Sequence, residues 1–395
     1  MTLDDQTRLM TLKGILQSSE LVLGADGVVY ARLVRDSRQE TYPTTSSDFM
    51  TWFRSEAASQ FVSLPSAKIM KQAIKEAEYE VRLQGLPCPV AARIFAEEGA
   101  VVVNLGDGKT LEIDISGATL VTDSGVVFPT GTNNHPLPEP ESADALEVLP
   151  EFLDLPEAES QLALIWLMSL FQADGRYPIL IISGPPQSGK TRLASNIRRL
   201  LDPHPLSLLP LPKGREGLKD AILENAILAF DNVEKIPAGV EEDLLALAEG
   251  IALSLPGHSR PVRCKRPTIL VCEDLPDATG LVENAIVLRL KERPATKFKT
   301  KSMMDRLFNQ HHAAAFGSLV GLCSQALRHR NEVAVEAVHR DVDLERWILA
   351  IDKSLGIDGK LMGVFASNLD LALASIIIER PAVRAFQALV RAKGC

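Results

Sequence analysis

Residues 176–191 read Arg-Tyr-Pro-Ile-Leu-Ile-Ile-Ser-Gly-Pro-Pro-Gln-Ser-Gly-Lys-Thr. A short apolar strand runs into a glycine-bounded loop, and the residues after it, TRLASNIRRLL, have helical periodicity. The loop fits G-x-x-x-x-G-K-[ST], whose chemistry demands these residue types. Gly184 and Gly189 allow a tight main-chain turn, so that in the segment Gly184, Pro185, Pro186, Gln187, Ser188, Gly189, Lys190 and Thr191 the main-chain N–H groups of the residues other than the two prolines face phosphate oxygens. The helix that opens near Lys190 aims its positive end at the same anion. Lys190 is expected to reach the β- and γ-phosphates, and Thr191 to offer its hydroxyl to Mg²⁺. A plain strand–turn–helix connection is the alternative, and the strand before and helix after the loop disfavour it.

Such a site needs an acid on a second buried strand. Ala226–Asp231, AILAFD, supplies one. Asp231 stands at the carboxyl end of the apolar run, where open α/β sheets bind ligands. It is expected to come from the strand neighbouring that of the loop and to hold Mg²⁺ through water. Its alternative role is a turn or helix-capping residue. Asn232 follows where many ATPases carry a water-activating Glu, so Glu234 is the candidate for that task.

The rest of the chain sets the frame. Its 395 residues favour two or three domains. A hydrophobic share of 46% with 24% charged residues matches a globular protein. No apolar run approaches the roughly 20 residues that span a bilayer, and the polar start MTLDDQTRLM has no signal-peptide character, so no membrane partner and a cytoplasmic location are expected. The five cysteines lack zinc or disulfide spacing and read as core thiols. A net charge of −9 argues against a surface coated for nucleic acid but leaves room for a local basic channel.

Segment 1–45 reads as a β-hairpin turning at Gly24–Gly27. Segment 47–83 reads as helical, with Ser47 and Asp48 as caps and Phe49, Trp52 and Phe53 inward. Segment 98–128 reads as a meander ending in VVFPT, and Pro- and Asn-rich TGTNNHPLPEPES as a linker. From 146, helices at 156–173, 214–224 and 240–253 interleave with apolar strands, as in a parallel sheet covered on both faces. Past 296 only helices are expected, at 302–329, 340–355 and 360–392. Adjacent His311 and His312 point about 100° apart, so they make no two-ligand face and read as helix surface. Trp52, Trp166 and Trp347 read as core.

The ordered segments YPILIISGPPQSGKT, LAFDN, RPTILVCEDLPD and NAIVLRL resemble phage- and plasmid-associated ATPases of replicative primase–helicase modules. SDFMTWF…SAKIMKQAIKEAE and the α-helical end with Trp347 add to the resemblance. That family is similar to superfamily 3 ring helicases and the wider AAA+ class. The resemblance implies an α/β P-loop NTPase core of AAA+ type over 146–294. An α+β N-terminal domain over 1–140 would precede it, and an all-α subdomain over 295–395 would follow. It implies ATP and Mg²⁺ as cofactors, hydrolysis between subunits of a homo-oligomeric ring, with a hexamer favoured, and work on single-stranded DNA in replication of a phage or mobile element. The N-terminal segment lacks an Asp-x-Asp pair, so any primase is expected on a separate chain.

Two departures bear on catalysis. Glu273 stands where relatives carry a polar sensor Asn, and Glu283-Asn284 stands where they carry Asp-Arg. An arginine acting across a subunit boundary contributes a factor of about 10³–10⁵, so its loss implies slow hydrolysis unless Arg289 or Arg293 substitutes. A nucleotide-switched assembly, loader or regulatory protein is therefore the alternative function. The resemblance also points to the basic stretch 257–266, GHSRPVRCKR, as a pore hairpin. Arg260, Arg263 and Lys265 are the candidates for DNA phosphate contacts, with Arg266 a third trans-subunit candidate. A solvated basic turn is the other reading. The run 291–301 reads as a solvated linker.

Overall fold

A computed structural model describes residues 3–35, 38–131, 135–237, 239–254, 261–294, 300–335 and 341–379, with side chains described as far as 374. The chain opens with a helix, α1 (Leu3–Gln17), which corrects the expectation of a hairpin from the first residue. Leu9, Leu12, Ile15 and Leu16 all fall on its buried side, a helical spacing that the alternation further on obscures. The hairpin starts later: β1 (Glu20–Leu23), β2 (Val29–Arg35) and β3 (Arg38–Pro43) form an antiparallel sheet, and Leu23 pairs with Val29 across the Gly24–Gly27 turn.

The helical stretch divides into α2 (Ser47–Gln60) and α3 (Ala67–Gln84). The cap of α2 is Ser46, not Ser47 or Asp48: its backbone is still extended, and its side chain accepts a 3.2 Å bond from Phe49 N. Phe49, Trp52 and Phe53 pack with Leu9, Leu12 and Leu16 in one apolar cluster. The meander comprises β4 (Ile94–Glu97), β5 (Ala100–Gly106), β6 (Lys109–Asp114) and β7 (Gly117–Val121), paired in that order. VVFPT adds no further strand; Val127 makes an isolated bridge to Val90.

Next come α4 (Ala145–Leu153), α5 (Glu157–Ser169), β8 (Ile179–Ser183), α6 (Lys190–Leu201), β9 (Leu209–Pro210), α7 (Arg215–Glu224) and β10 (Leu228–Asp231). They are followed by α8 (Val240–Glu249), β11 (Ile251–Leu253), β12 (Val262–Cys264), β13 (Thr268–Cys272), α9 (Thr279–Val282) and β14 (Ala285–Arg289). The five-stranded sheet has the order β14-β8-β13-β10-β9, and each adjacent pair is parallel. Burial alternates through it. Leu180 and Ile182 join the cluster of α5 and α6, whereas Ile179 and Ile181 join that of α7 and α8. The helix expected over 240–253 stops at Glu249, because Gly250 takes φ +105° and 251–253 pairs antiparallel with β12.

Three helices complete the described residues: α10 (Lys301–His329), α11 (Val342–Leu355) and α12 (Lys360–Glu379). None of the described helices is long and apolar enough to cross a membrane. Trp166 and Trp347 are buried, and their indole N–H groups donate to Pro178 O (2.8 Å) and Met168 O (2.7 Å). His312 is not on the surface as expected. It is buried, and its Nε2 lies 3.1 Å from Leu200 O, because α10 lays this face on the end of α6.

The inner residues of β5 and β6, Val101, Val103, Leu111 and Ile113, belong to the same apolar cluster as α5, α6 and α10. At this junction Gly317 of α10 sits against the backbone of Glu141, which donates to Ala313 O at 3.0 Å. A methyl at Gly317 would meet that main chain. The gain in helix propensity is about 1 kcal/mol, whereas forcing atoms into a packed contact costs about 1–3 kcal/mol, so the clash prevails. Gly317→Ala is expected to lower the urea midpoint, whereas Gly321→Ala, where the added atom meets open space, raises or preserves it.

Candidate nucleotide site

The loop 184–191 joins the carboxyl end of β8 to the first turn of α6. Its shape comes from backbone demands that side chains do not override. Gly184 has φ +148°, and a Cβ there would run into the carbonyl of Leu290, which is held in place by Leu290 N donating to Ser183 O at 2.8 Å. Gln187 takes φ +63°, a conformation uncommon outside glycine, and Gly189 takes φ +92° as the N-cap of α6. Ser188 is 1% exposed, and its Oγ has no hydrogen-bond partner among the described residues. Lys190 Nζ folds over the loop and donates to Gly184 O (2.5 Å) and Pro185 O (2.8 Å). An ammonium held only by neutral carbonyls and an unpartnered hydroxyl beside it fit an anion.

Thr191 Oγ1 lies 3.3 Å from Asp231 Oδ1, which also accepts from Asn232 N at 2.9 Å. The two residues meet although their strands are not neighbours. This corrects the expectation that Asp231 comes from the strand beside β8: β13 intervenes between β8 and β10. Helix α6 packs over β13 and β10, so its first turn carries Thr191 across the gap. A hydroxyl and a carboxylate form a hard-oxygen pair that suits Mg²⁺, with phosphate oxygens and water completing a coordination shell.

Glu273 follows β13 between these strands, with its side chain exposed and its carbonyl accepting from Gly184 N at 3.0 Å. Glu234 is exposed on the loop beyond β10. Behind the site, burial pushes the Cys272 thiol up to about 12, against the opposing pull of the Lys190 charge.

Arg293 sits against the loop of its own chain. Its Nε donates to Ser188 O (3.1 Å), and its Nη1 pairs with Asp154 Oδ2 (2.6 Å). Asp154, at the C-cap of α4 with φ +53°, is a site residue that the sequence reading misses; the only local signal is the helix stop before Leu155-Pro156. Arg289 is exposed at the end of β14, with Nη2 at 3.5 Å from Leu371 O. Asn284 lies at the opposite, amino end of the sheet. There its carbonyl accepts from Ile179 N (3.0 Å), and its side chain accepts from Arg176 Nη1 (2.5 Å).

The basic candidates separate. Arg260 lies outside the described residues. Arg263 is exposed on β12, with Nη2 donating to Glu249 O at 3.0 Å. Lys265 turns inward, where Nζ donates to Gly175 O (2.7 Å) and stands 4.0 Å from the ring centroid of Tyr177; burial pushes its pKa down to about 8. Arg266 donates to the carbonyls of Asn225 (3.1 Å), Lys265 (3.0 Å) and Ile222 (3.3 Å) of its own chain.

No protein-family model matches the chain, and no curated protein matches it. Among solved structures, the apo A form of the NrS-1 C-terminal region has 13% identity and a TM-score of 0.43, covering 78% of this chain and 68% of that one. The structure of SCCmec type IV Cch, an active helicase, has 11% identity and a TM-score of 0.42, covering 94% of this chain and 77% of that one. Likeness at this level assigns no role to any residue, and the site is read from its own geometry.

The Arg293 latch has a direct test. Arg293→Ala removes a charge-assisted bond to Ser188 O, an interaction of about 1.5–3 kcal/mol. Hydrogen exchange at the Ser188 and Gly189 amides is expected to speed up at least tenfold, while that of the β8 amides stays unchanged.

Proposed function

We propose that the chain is an ATP-dependent DNA replication protein of a phage or mobile element, a ring-forming helicase or helicase-like DNA-dependent ATPase. One observation carries the reading: the loop Gly184–Thr191 stands at the carboxyl edge of a parallel sheet with Thr191 Oγ1 3.3 Å from Asp231 Oδ1. A nucleotide enters this cradle by replacing the two loop carbonyls as the partners of Lys190. The exchange favours phosphate, because an ammonium–oxyanion bond is roughly twice as strong as one to a neutral carbonyl. Main-chain N–H groups and the start of α6 then hold the remaining oxygens. Thr191 and Asp231 would hold Mg²⁺, which would supply charge neutralisation to the phosphates. Glu273 and Glu234 are the carboxylates available to orient water, and Arg293 is poised beside Ser188. In this reading 1–140, 146–294 and 295–395 are the working divisions, DNA passes the exposed Arg263, and the ring is a homohexamer in the cytoplasm served by a separate primase.

Two features favour a second reading, a nucleotide-switched assembly or loader with weak hydrolysis. Glu273 occupies the sensor position, and Asn284 is bound to Arg176 within its own chain.

Turnover with and without single-stranded DNA separates the two. Lys190→Ala and Asp231→Asn are expected to reduce Mg²⁺-dependent ATP turnover at least about a hundredfold. Arg263→Ala is expected to weaken DNA binding uniformly across sequences and to lower the salt slope by about 1. Turnover indifferent to DNA, with Lys190→Ala disturbing only assembly, selects the switch. Unaltered nucleotide binding by Lys190→Ala defeats both.

A further inference from the structure

At the end of the parallel sheet opposite the nucleotide loop, a cleft of about 220 Å³ opens between β4 and the segments that lead into β8, β10 and β13. Arg93, Arg263, Lys265 and Arg266 line it, and no carboxylate does among the described residues. Four cations converge on one small concavity in a chain of net charge −9. Asp202 stands behind this wall with Oδ1 3.7 Å from Arg93 Nη2, and it also faces Arg198 across 3.4 Å. One buried carboxylate is thus shared between two buried guanidiniums, while the charges of Asp341 and Asp174 reach Lys265 from outside the cleft.

The wall is also short of hydrogen-bond partners. Arg93 is 2% exposed and directs Nη1 and Nη2 to Asn104 O and His135 O, yet its Nε has no partner among the described residues. Gln172, 3% exposed, also lines the cleft, and its Oε1 is buried without a partner among the described residues. An unpartnered buried donor is unfavourable, and a buried cation without a counter-charge more so. Folds keep such features where a ligand completes them. The phenol of Tyr177 and the ring of Phe95 add apolar wall.

We infer that this cleft binds a phosphate group, at a second anion site distinct from the loop 184–191. The volume admits a phosphate with its adjoining sugar but not a whole nucleotide. The basic residues Arg93, Arg263, Lys265 and Arg266 of the wall answer the charge of the phosphate oxygens. Arg263 sits at the exposed end, so the phosphate has two sources: a free phosphate ester, or one link of a nucleic-acid backbone passing β12. The inference does not rest on the nucleotide reading, since the two sites lie at opposite ends of the strands.

Lys265 reports on the cleft. With its amine near pKa 8, acylation at pH 8 proceeds through a large neutral fraction. The full chain is acylated in buffered chloride alone, then with inorganic phosphate, adenosine monophosphate or a short oligothymidylate at matched ionic strength. Modification is read residue by residue by mass spectrometry, with Lys13, remote on α1, as internal reference. At a ligand concentration ten times its dissociation constant the site is free about one-eleventh of the time, so Lys265 is expected to slow about tenfold while Lys13 does not. Protection by inorganic phosphate or the monophosphate supports a free-ester site, and protection by oligothymidylate alone supports the backbone source. Arg263→Ala is expected to raise the protecting concentration several-fold. Lys265 labelling that none of the three changes, or that slows only as much as Lys13, overturns the inference. Loss of nucleotide binding in Lys190→Ala with Lys265 protection intact separates its fate from that of the proposed ATPase.

Discussion

Parallel pairing of β8 with β13 and β14 puts the carboxyl ends of the strands on one edge of the sheet. Everything chemically interesting on that edge follows from this alignment. The loop after β8, the acid that ends β10 and the carboxylate after β13 arise from residues 184, 231 and 273, yet they face the same space. Short wholly buried strands make the alignment rigid, because a slip of one residue would exchange the faces that Ile179 and Leu180 bury. Close packing of Gly184 against the Leu290 carbonyl then fixes where the loop leaves the sheet.

Charges around the loop are arranged for exchange rather than for rest. Lys190 is bound to neutral carbonyls, and Ser188 Oγ is buried with no partner among the described residues. Arg293 adds a guanidinium that is anchored by exposed Asp154, so the anchor is screened by water and yields at modest cost. The loop is thus held by contacts with Lys190 and Arg293 of its own chain.

The opposite edge has a different character. There Arg93, Arg198 and Asp202 are buried and Arg266 is half-buried where the four-stranded sheet meets the α/β core, and desolvation lowers the pKa of each arginine. Such groups cost desolvation energy that apolar residues would not. Through Asp202 and Asn225 they also tie the start of β4, α6 and the entry to β13 together, which makes the junction between sheets a polar joint beside an apolar cluster.

The sequence by itself determined the alternation of apolar strands and helices, the loop 184–191, and Asp231 as the acid at the end of a buried strand. These are legible because each depends on neighbours in the chain: a run of Ile and Leu, two glycines at fixed spacing, a polar residue ending an apolar run. Short-range signals also misled where two patterns overlapped, as at α1, at the Ser46 cap and past Gly250. Only the tertiary structure decided the strand order that inserts β13 between β8 and β10. It alone decided the contact of Arg293 with Ser188 and Asp154, and the inward turn of Lys265 and Arg266 beneath an otherwise basic stretch. Those outcomes depend on which helix crosses which strand and on what packs over a side chain. Residues more than a hundred positions apart, such as Asp154 and Arg293, leave no periodic trace of their meeting.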